Sequence, residues 1–485
     1  MQNKQLCLSE KFYIGFALLS LIAILSFRIL YSSAFARSWD AVDFALGVQS
    51  YNLLDMQPHF PGYPYFILGG MLVNLWVEDP ARSLALWNSL FSLSSLLPMW
   101  FIYRRYLTIS KALIAVAFSQ SIPFLTIIIA SPMSEGTAFT ILWWYIWGLM
   151  VALERGRYRY DLLPLALFSL LMGVRLSYLP FCVGILLLWY KRLREKGLGH
   201  VLEQAGIAFL FQFLWVYPLI LSVGGIDSFQ FIATKFVEGH FTGWGGSIAT
   251  EQAPFITRVW TFIWTNILWT GLSVHSVLIL ILYGVLVLSL FRGPSSVLYE
   301  KLWWSLGTAY TFWAFFAQNV DKPRHILPTV VILVILLLVH LLKGGGKRKI
   351  GVVSLLLLMN TGIGGYYVHK QATELPATYQ LANYVEQQSE PLKIYTWEEE
   401  RVLQYVGVSK SFQKIQTYAL FKEDASNQLK QGKTVYVTDR VVQGFIQQGM
   451  DTTDFTAVKK FTSDPLFDPV YSDITLYKWV TSSSP

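Results

Sequence analysis

Apolar runs of about twenty residues recur through the first 370 positions of this 485-residue chain. No other feature limits its fold as severely. A helix of that length matches the ~30 Å hydrocarbon core of a bilayer. Backbone polar groups in lipid must be paired within their own segment, so such runs fold as spanning helices. The expected spans are residues 12–31, 83–103, 112–130, 136–153, 161–174, 178–190, 203–223, 273–291, 302–317, 325–342 and 350–368, eleven in all. The fifth and sixth are short and read as a tilted or broken pair around Gly173–Ser177. Charged residues make up only 14% of the chain, against about 25% in soluble proteins.

The basic residues sort by loop. Arg104, Arg105 and Lys111 fall in one; Arg155, Arg157 and Arg159 in the next but one. Lys191, Arg192, Arg194 and Lys196 follow, then Arg292 and Lys301, then Lys343, Lys347, Arg348 and Lys349. With Lys4 and Lys11, these loops and the N-terminus are expected in the cytoplasm. The opposite loops carry only Arg37, Arg82, Lys235, Arg258, Lys322 and Arg324. Eleven spans place the C-terminus outside. The net charge of +8 is thus a topology signal, and nucleic-acid binding is not expected. Cys7 precedes the first span and Cys182 sits in an apolar run, so no disulfide framework is implied.

Two apolar stretches stay outside this layout. Residues 62–77 are short and bounded by Pro61, Pro64 and Glu78–Asp79; residues 259–271 carry Trp260, Trp264 and Trp269. Both read as helices on or dipping into the outer leaflet, because Trp favours the membrane interface. A twelfth span at 62–77 would invert every later loop. From about residue 371 the composition turns polar. Strand-like runs at 393–397, 434–438 and 474–480 alternate with helical patterns at 376–389, 419–431 and 440–448. The fold class is an α-helical polytopic membrane protein, residues 1–370, with a small extracytoplasmic α/β domain, residues 371–485.

On this topology the notable polar groups share the outer face. Asp40 and Asp43 follow the first span three residues apart, so on a helix they share a side. Trp39 and Phe44 beside them are placed to hold that helix against the bilayer. One Asp suits a general base on an acceptor hydroxyl; the alternative is a capped helix start. Asp55 reads as a loop residue. Glu135, in SPMSEG, either favours a helix N-terminus or orients an acceptor or a cation. Arg175, in MGVRLSY, costs about 2.5–3.5 kcal/mol at mid-membrane and needs a partner. A lipid phosphate fits its fork; snorkelling to the headgroups is the alternative. Lys322, Arg324 and His325, in DKPRHILP, form a second cationic cluster, read as headgroup anchors or as phosphate ligands. His59, in the rigid QPHFPGYP turn, suits phosphate or metal binding. Walker A, GxSxG and HExxH patterns are absent from the sequence.

These motifs together resemble the GT-C membrane glycosyltransferases, and most of all the protein O-mannosyltransferases and lipid A aminoarabinose transferases. The resemblance rests on the acidic tract, PHFPGYP, SPMSE, GVR and KPRHILP, and covers about residues 12–345. The family's first-loop Asp, followed four residues later by an aromatic and then Ala, matches Asp40, Phe44 and Ala45. Its second acid falls on Ala41, where this chain departs, and Asp43 is the nearest substitute. His59 matches the turn histidine. Glu135 matches an acid at the fourth span, and Arg175 a basic residue near the donor phosphate.

The resemblance implies a polyprenyl-phosphate sugar as donor, membrane lipid around it, and inversion with Asp40 as base. The acceptor can be a glycan, a lipid or a protein. Phosphate is a good leaving group, so one base suffices. A divalent cation is not required by the sequence. The other readings are a secondary transporter or lipid flippase, which would show repeated halves that this chain lacks, and a non-catalytic assembly subunit.

Overall fold

A computed structural model describes residues 8–250, 253–289, 300–344 and 346–480. Lys4, Cys7 and Arg292 lie outside the described residues. Contacts divide the chain into two units. One joins Met1–Ala34 to Gly47–Ala372; the other joins Phe35–Leu46 to Thr373–Pro485. The first is helical and multi-pass. Among the described residues seven helices have the length and composition to cross a membrane, or up to nine if each of two bent pairs is one span.

That count corrects the expected eleven. The apolar run at 161–174 lies in the helix Tyr158–Val174, of 17 residues, about 26 Å long at 1.5 Å per residue and short of the ~30 Å core. The run at 302–317 lies in the helix Glu300–Ala317, which borders residues outside the described ones. The third expected span breaks in two. Ile109–Gln120 and Pro123–Ile129 are bent by 60°, at a proline that has no N–H to continue the ladder. Arg28, fully buried near the end of the first helix, serves that break. It donates to the Gln120 side chain at 2.6 Å, to the Gln120 carbonyl, and to Thr126 Oγ1 at 2.9 Å. The Gln120 carbonyl freed by the bend thereby regains a partner.

The eighth span also moves. Val274 and His275 adopt left-handed backbone (φ 42° and 63°), so the helix begins at Val277 and runs to Leu288. The preceding stretch, expected on the membrane surface, is the helix Phe255–Trp260 continuing as a π-helix, Thr261–Leu272. The two arms meet at 105°. Residues 62–77 contain an 11-residue helix, Pro64–Asn74, about 16 Å long. The fifth and sixth spans do break where expected. Tyr158–Val174 ends at Arg175, which is extended (φ −158°, ψ 103°), and a 3-10 stretch, Leu176–Cys182, leads into Val183–Lys196. Arg192, counted above as a loop cation, is buried instead. It pairs with Asp161 at 2.7 Å, and Gln204 donates to the same carboxylate at 3.0 Å.

The second unit holds a five-stranded sheet: β1 Leu392–Thr396, β2 Ser411–Lys414, β3 Thr434–Thr438, β4 Phe455–Thr462 and β5 Asp473–Trp479. Their order is β2-β1-β3-β5-β4. β1 runs parallel to β2 and β3, while β5 is antiparallel to β3 and β4. One face buries Leu381, Val385, Ile394, Leu403 and Leu476; the other buries Phe421, Val437, Phe445 and Trp479. Each such side chain contributes about 1.5–3 kcal/mol on burial. Helices Ala377–Glu386 and Glu399–Val406 cover the first face, and Tyr418–Lys430 and Asp439–Gln447 the second. The chain leaves β1 to either side, toward β2 and then β3, so the order reverses at β1. In such sheets ligand and functional loops gather beyond the carboxyl ends of the strands.

Candidate active site

In the membrane unit the SPMSE segment is a tight turn held by Asn88. The Asn88 amide donates to the Ser131 and Met133 carbonyls at 3.0 and 2.8 Å, and its carbonyl accepts from Thr137 Oγ1 at 2.6 Å. A Cβ on Gly136 would lie 2.7 Å from the Asn88 side chain, so the turn needs glycine there. This anchoring delivers Glu135 as the first residue of the helix Glu135–Arg155. The carboxylate is 1% exposed. Arg175 approaches from the break after Tyr158–Val174, with Nη2 3.0 Å from Glu135 Oε1. Arg324 approaches from the 3-10 turn Pro323–Ile326, with Nε 2.9 Å from the same oxygen. Arg175 Nη1 also donates to Ser134 Oγ at 2.9 Å.

Tyrosines surround the cluster. Tyr63, Tyr178 and Tyr310 lie within electrostatic reach of the Arg175 guanidinium. Tyr178 and Tyr310 pack edge to face at 5.4 Å, and the Tyr310 hydroxyl donates to the His325 carbonyl at 2.8 Å. His59 is buried with Nε2 3.0 Å from the Tyr63 hydroxyl, and its ring stacks on Phe236. Glu135, Arg175 and Arg324 thus come together from positions 135, 175 and 324, with His59 reaching them through Tyr63. Lys322 is half-buried near His240; the ion pairs of Glu135 are with the two arginines. Among the described residues no group of three His, Cys, Asp or Glu could hold a metal ion. Sequence reasoning missed Asn88, which stands in an ordinary helical pattern and carries no local signal.

Asp40 and Asp43 belong to the other unit. Residues Trp39–Gln49 form a helix, and Asp40 and Asp43 lie one turn apart on it. Their surroundings differ. Asp43 is fully buried and its Oδ1 lies 2.8 Å from Arg401 Nε. Asp40 keeps partial exposure. Phe44, expected to face the bilayer, packs inside the protein instead. Phe44 is 1% exposed, and Arg401 and Lys414 sit over the Trp39 ring at 5.7 and 4.8 Å. Lys414 is also 4.6 Å from the Trp397 ring centre.

Just past β1, Glu399 is buried and its carboxylate accepts the Trp397 N–H at 2.9 Å. Burial, with the nearby Asp439 carboxylate as a smaller contribution, pushes its pKa up to about 7.

No protein-family model matches the sequence, and no curated protein matches it either. Solved structures do. ArnT from Cupriavidus metallidurans bound to undecaprenyl phosphate superposes with TM-score 0.55 at 11% identity, covering 97% of this chain and 99% of that one. The same protein in the apo state gives 0.57, at the same identity and coverage. Over nearly its whole length the chain shares the fold of ArnT.

Proposed function

We propose that this protein transfers a sugar from a polyprenyl-phosphate donor to an acceptor hydroxyl at the outer membrane face. The observation that carries the reading is the sharing of one buried carboxylate, Glu135, by two guanidiniums, Arg175 and Arg324. Two guanidiniums drawn to one buried point offer planar donor forks that match phosphate oxygens. A sugar phosphodiester carries one negative charge. On cleavage the leaving phosphate gains a second, and fixed cations in a dry site stabilise that developing charge strongly. Glu135 orients both forks toward one point, where a phosphate is proposed to bind. The tyrosine ring edges and His59 line the same neighbourhood. The donor lipid is inferred from the fold neighbour, which binds undecaprenyl phosphate.

Asp40 is the proposed base. Its carboxylate takes the proton as the acceptor oxygen bonds to C1; the C1–O bond to phosphate breaks and polyprenyl phosphate leaves with the electron pair. Inversion follows from this single displacement. Asp43 is the poorer base, because it is buried against Arg401. The α/β unit is proposed to lie outside and to shape the acceptor site.

The test is turnover of the full-length protein on a panel of polyprenyl-phosphate sugars, reading release of polyprenyl phosphate. Release that depends on Asp40 supports the reading. No release from any donor, with substrate flux across liposomes instead, would replace it with transport. Sidedness is checked with an impermeant thiol reagent. A cysteine at Ser426 should label from outside, and one at the exposed Gly199, where an added Cβ meets nothing, should not. The reverse pattern would place the α/β unit in the cytoplasm.

A further inference from the structure

We infer that Arg401, on the helix Glu399–Val406 of the α/β unit, is a positioning residue that locks the Trp39–Gln49 helix, and with it Asp40, through the buried Asp43 carboxylate. This rests on the proposed role of Asp40. The argument is geometric. Residues Phe35–Leu46 are folded into the α/β unit. The Ala36 N–H donates to the Tyr379 hydroxyl at 3.0 Å, and Arg37 Nη2 to the Glu374 carbonyl at 3.2 Å. These contacts hold the approach to the helix. Trp39, next to Asp40, and Asp43, one turn on, are then each held by the α/β unit. Asp43 receives Arg401 Nε at 2.8 Å. Trp39 lies under Arg401 at 5.7 Å and under Lys414 at 4.8 Å, and Lys414 bridges on to Trp397. Trp397, Arg401 and Lys414 follow or end β1 and β2, so all three come from the carboxyl edge of the parallel strands.

A guanidinium is the group suited to this task. It pairs with a carboxylate through a rigid planar donor set and stacks on an indole at the same time. Lysine has no fork and could not serve both contacts. The need for such a lock follows from the chemistry. A general base works only within hydrogen-bond reach of its proton, and a displacement of about 1 Å can cost about 100-fold in rate.

The experiment compares Arg401→Gln, Arg401→Lys, Asp43→Asn and the double variant Asp43→Asn/Arg401→Gln in the full-length protein. Two quantities are read: kcat and donor KM on a polyprenyl-phosphate sugar, and amide hydrogen exchange of residues 39–46. Arg401→Gln should lower kcat about 10–100-fold and leave donor KM within about threefold, because the phosphate cluster is in the membrane unit. Exchange at 39–46 should quicken while the rest of the sheet stays protected. The double variant should recover at least about tenfold of the lost kcat, since a neutral amide pair replaces the broken ion pair. Arg401→Lys should fall between.

Unchanged exchange in Arg401→Gln, or a double variant as slow as Arg401→Gln alone, overturns the inference. If Arg401→Gln loses sheet protection altogether, Arg401→Lys and Asp43→Asn decide by the same two readings. Exchange needs no activity. A wild type that transfers no sugar therefore removes the proposed function while the lock stands or falls on exchange alone.

Discussion

In the membrane unit two guanidiniums converge on one buried carboxylate oxygen. In the α/β unit Arg401 meets the buried Asp43 and lies over an indole ring. The residue types are the same and the geometry is not. Arg175 and Arg324 converge on one oxygen of Glu135, which suits the phosphate proposed above. Arg401 meets Asp43 and lies over Trp39, which suits the positioning role inferred above. Burial sharpens both, since an ion without its partner in low dielectric is costly.

The comparison can be broken most sharply at Asp40. Asp40→Asn keeps the shape and removes the proton acceptor, and turnover should fall about 10²–10⁴-fold with donor affinity unchanged. Asp43→Asn should act mainly on helix position and lose less. If Asp43→Asn is the slower of the two and its helix stays protected from exchange, the base moves to Asp43 and the α/β cluster is no longer a clamp.

Glu399 gives the next largest effect. Its folded pKa, about 7, lies above the usual unfolded value near 4.3. The folded state therefore prefers the protonated acid. Stability is fully present below about pH 4.3 and is lost as pH rises through 7. Glu399→Gln removes that penalty. At pH 8 it should stabilise the α/β unit by up to about 3 kcal/mol, and at pH 4 by almost nothing. Exchange protection of β1 and β3 against pH reads this directly; a pH-independent gain would mean that burial of the charge is not the cause.

Arg175→Ala should weaken binding of a polyprenyl-phosphate donor about 10–100-fold, the loss expected for a charge-assisted pair. Arg175→Lys should recover only part, because a point charge does not replace the fork. Equal donor affinity in Arg175→Ala and wild type would end the phosphate role. Lys322→Ala should have the smallest effect. Glu135 makes its ion pairs with the two arginines, and the half-buried Lys322 sits near His240. Donor affinity should change less than about threefold and stability by no more than about 0.5 kcal/mol. A tenfold loss would bring Lys322 back into the phosphate cluster.

Much of this molecule is legible from local pattern. Apolar run length identifies a membrane protein, and composition marks the polar tail. Strands β1 and β3 are read correctly because they are almost wholly buried, and β5 because its burial alternates along a run rich in β-branched and aromatic residues. β2 and β4 escape because they are edge strands. β2 has four residues of alternating exposure, and β4 carries Lys459 and Lys460 along a mostly exposed run. The helix breaks at Ser121–Ile122 and at Val274–His275 hide inside apolar runs, since hydropathy does not record backbone direction. Arg192 reads as a loop charge, and nothing local marks Arg28. Their burial depends on partners at Gln120 and Asp161, far along the chain.

The sequence by itself determined the class of protein, the polar motifs at membrane exits and the resemblance that groups them, because those depend on residue type and spacing within about twenty positions. It singled out Asp40, Asp43, Glu135, Arg175, Arg324 and His59 as separate points. Only the tertiary structure decided how they combine. It placed residues 35–46 in the α/β unit, buried Asp43 against Arg401, left Asp40 partly exposed, and drew two arginines onto Glu135. The reason is physical. A charged side chain has no fixed role until its partner and its dielectric surroundings are set, and here those partners are 40, 189 and 358 residues away in the chain.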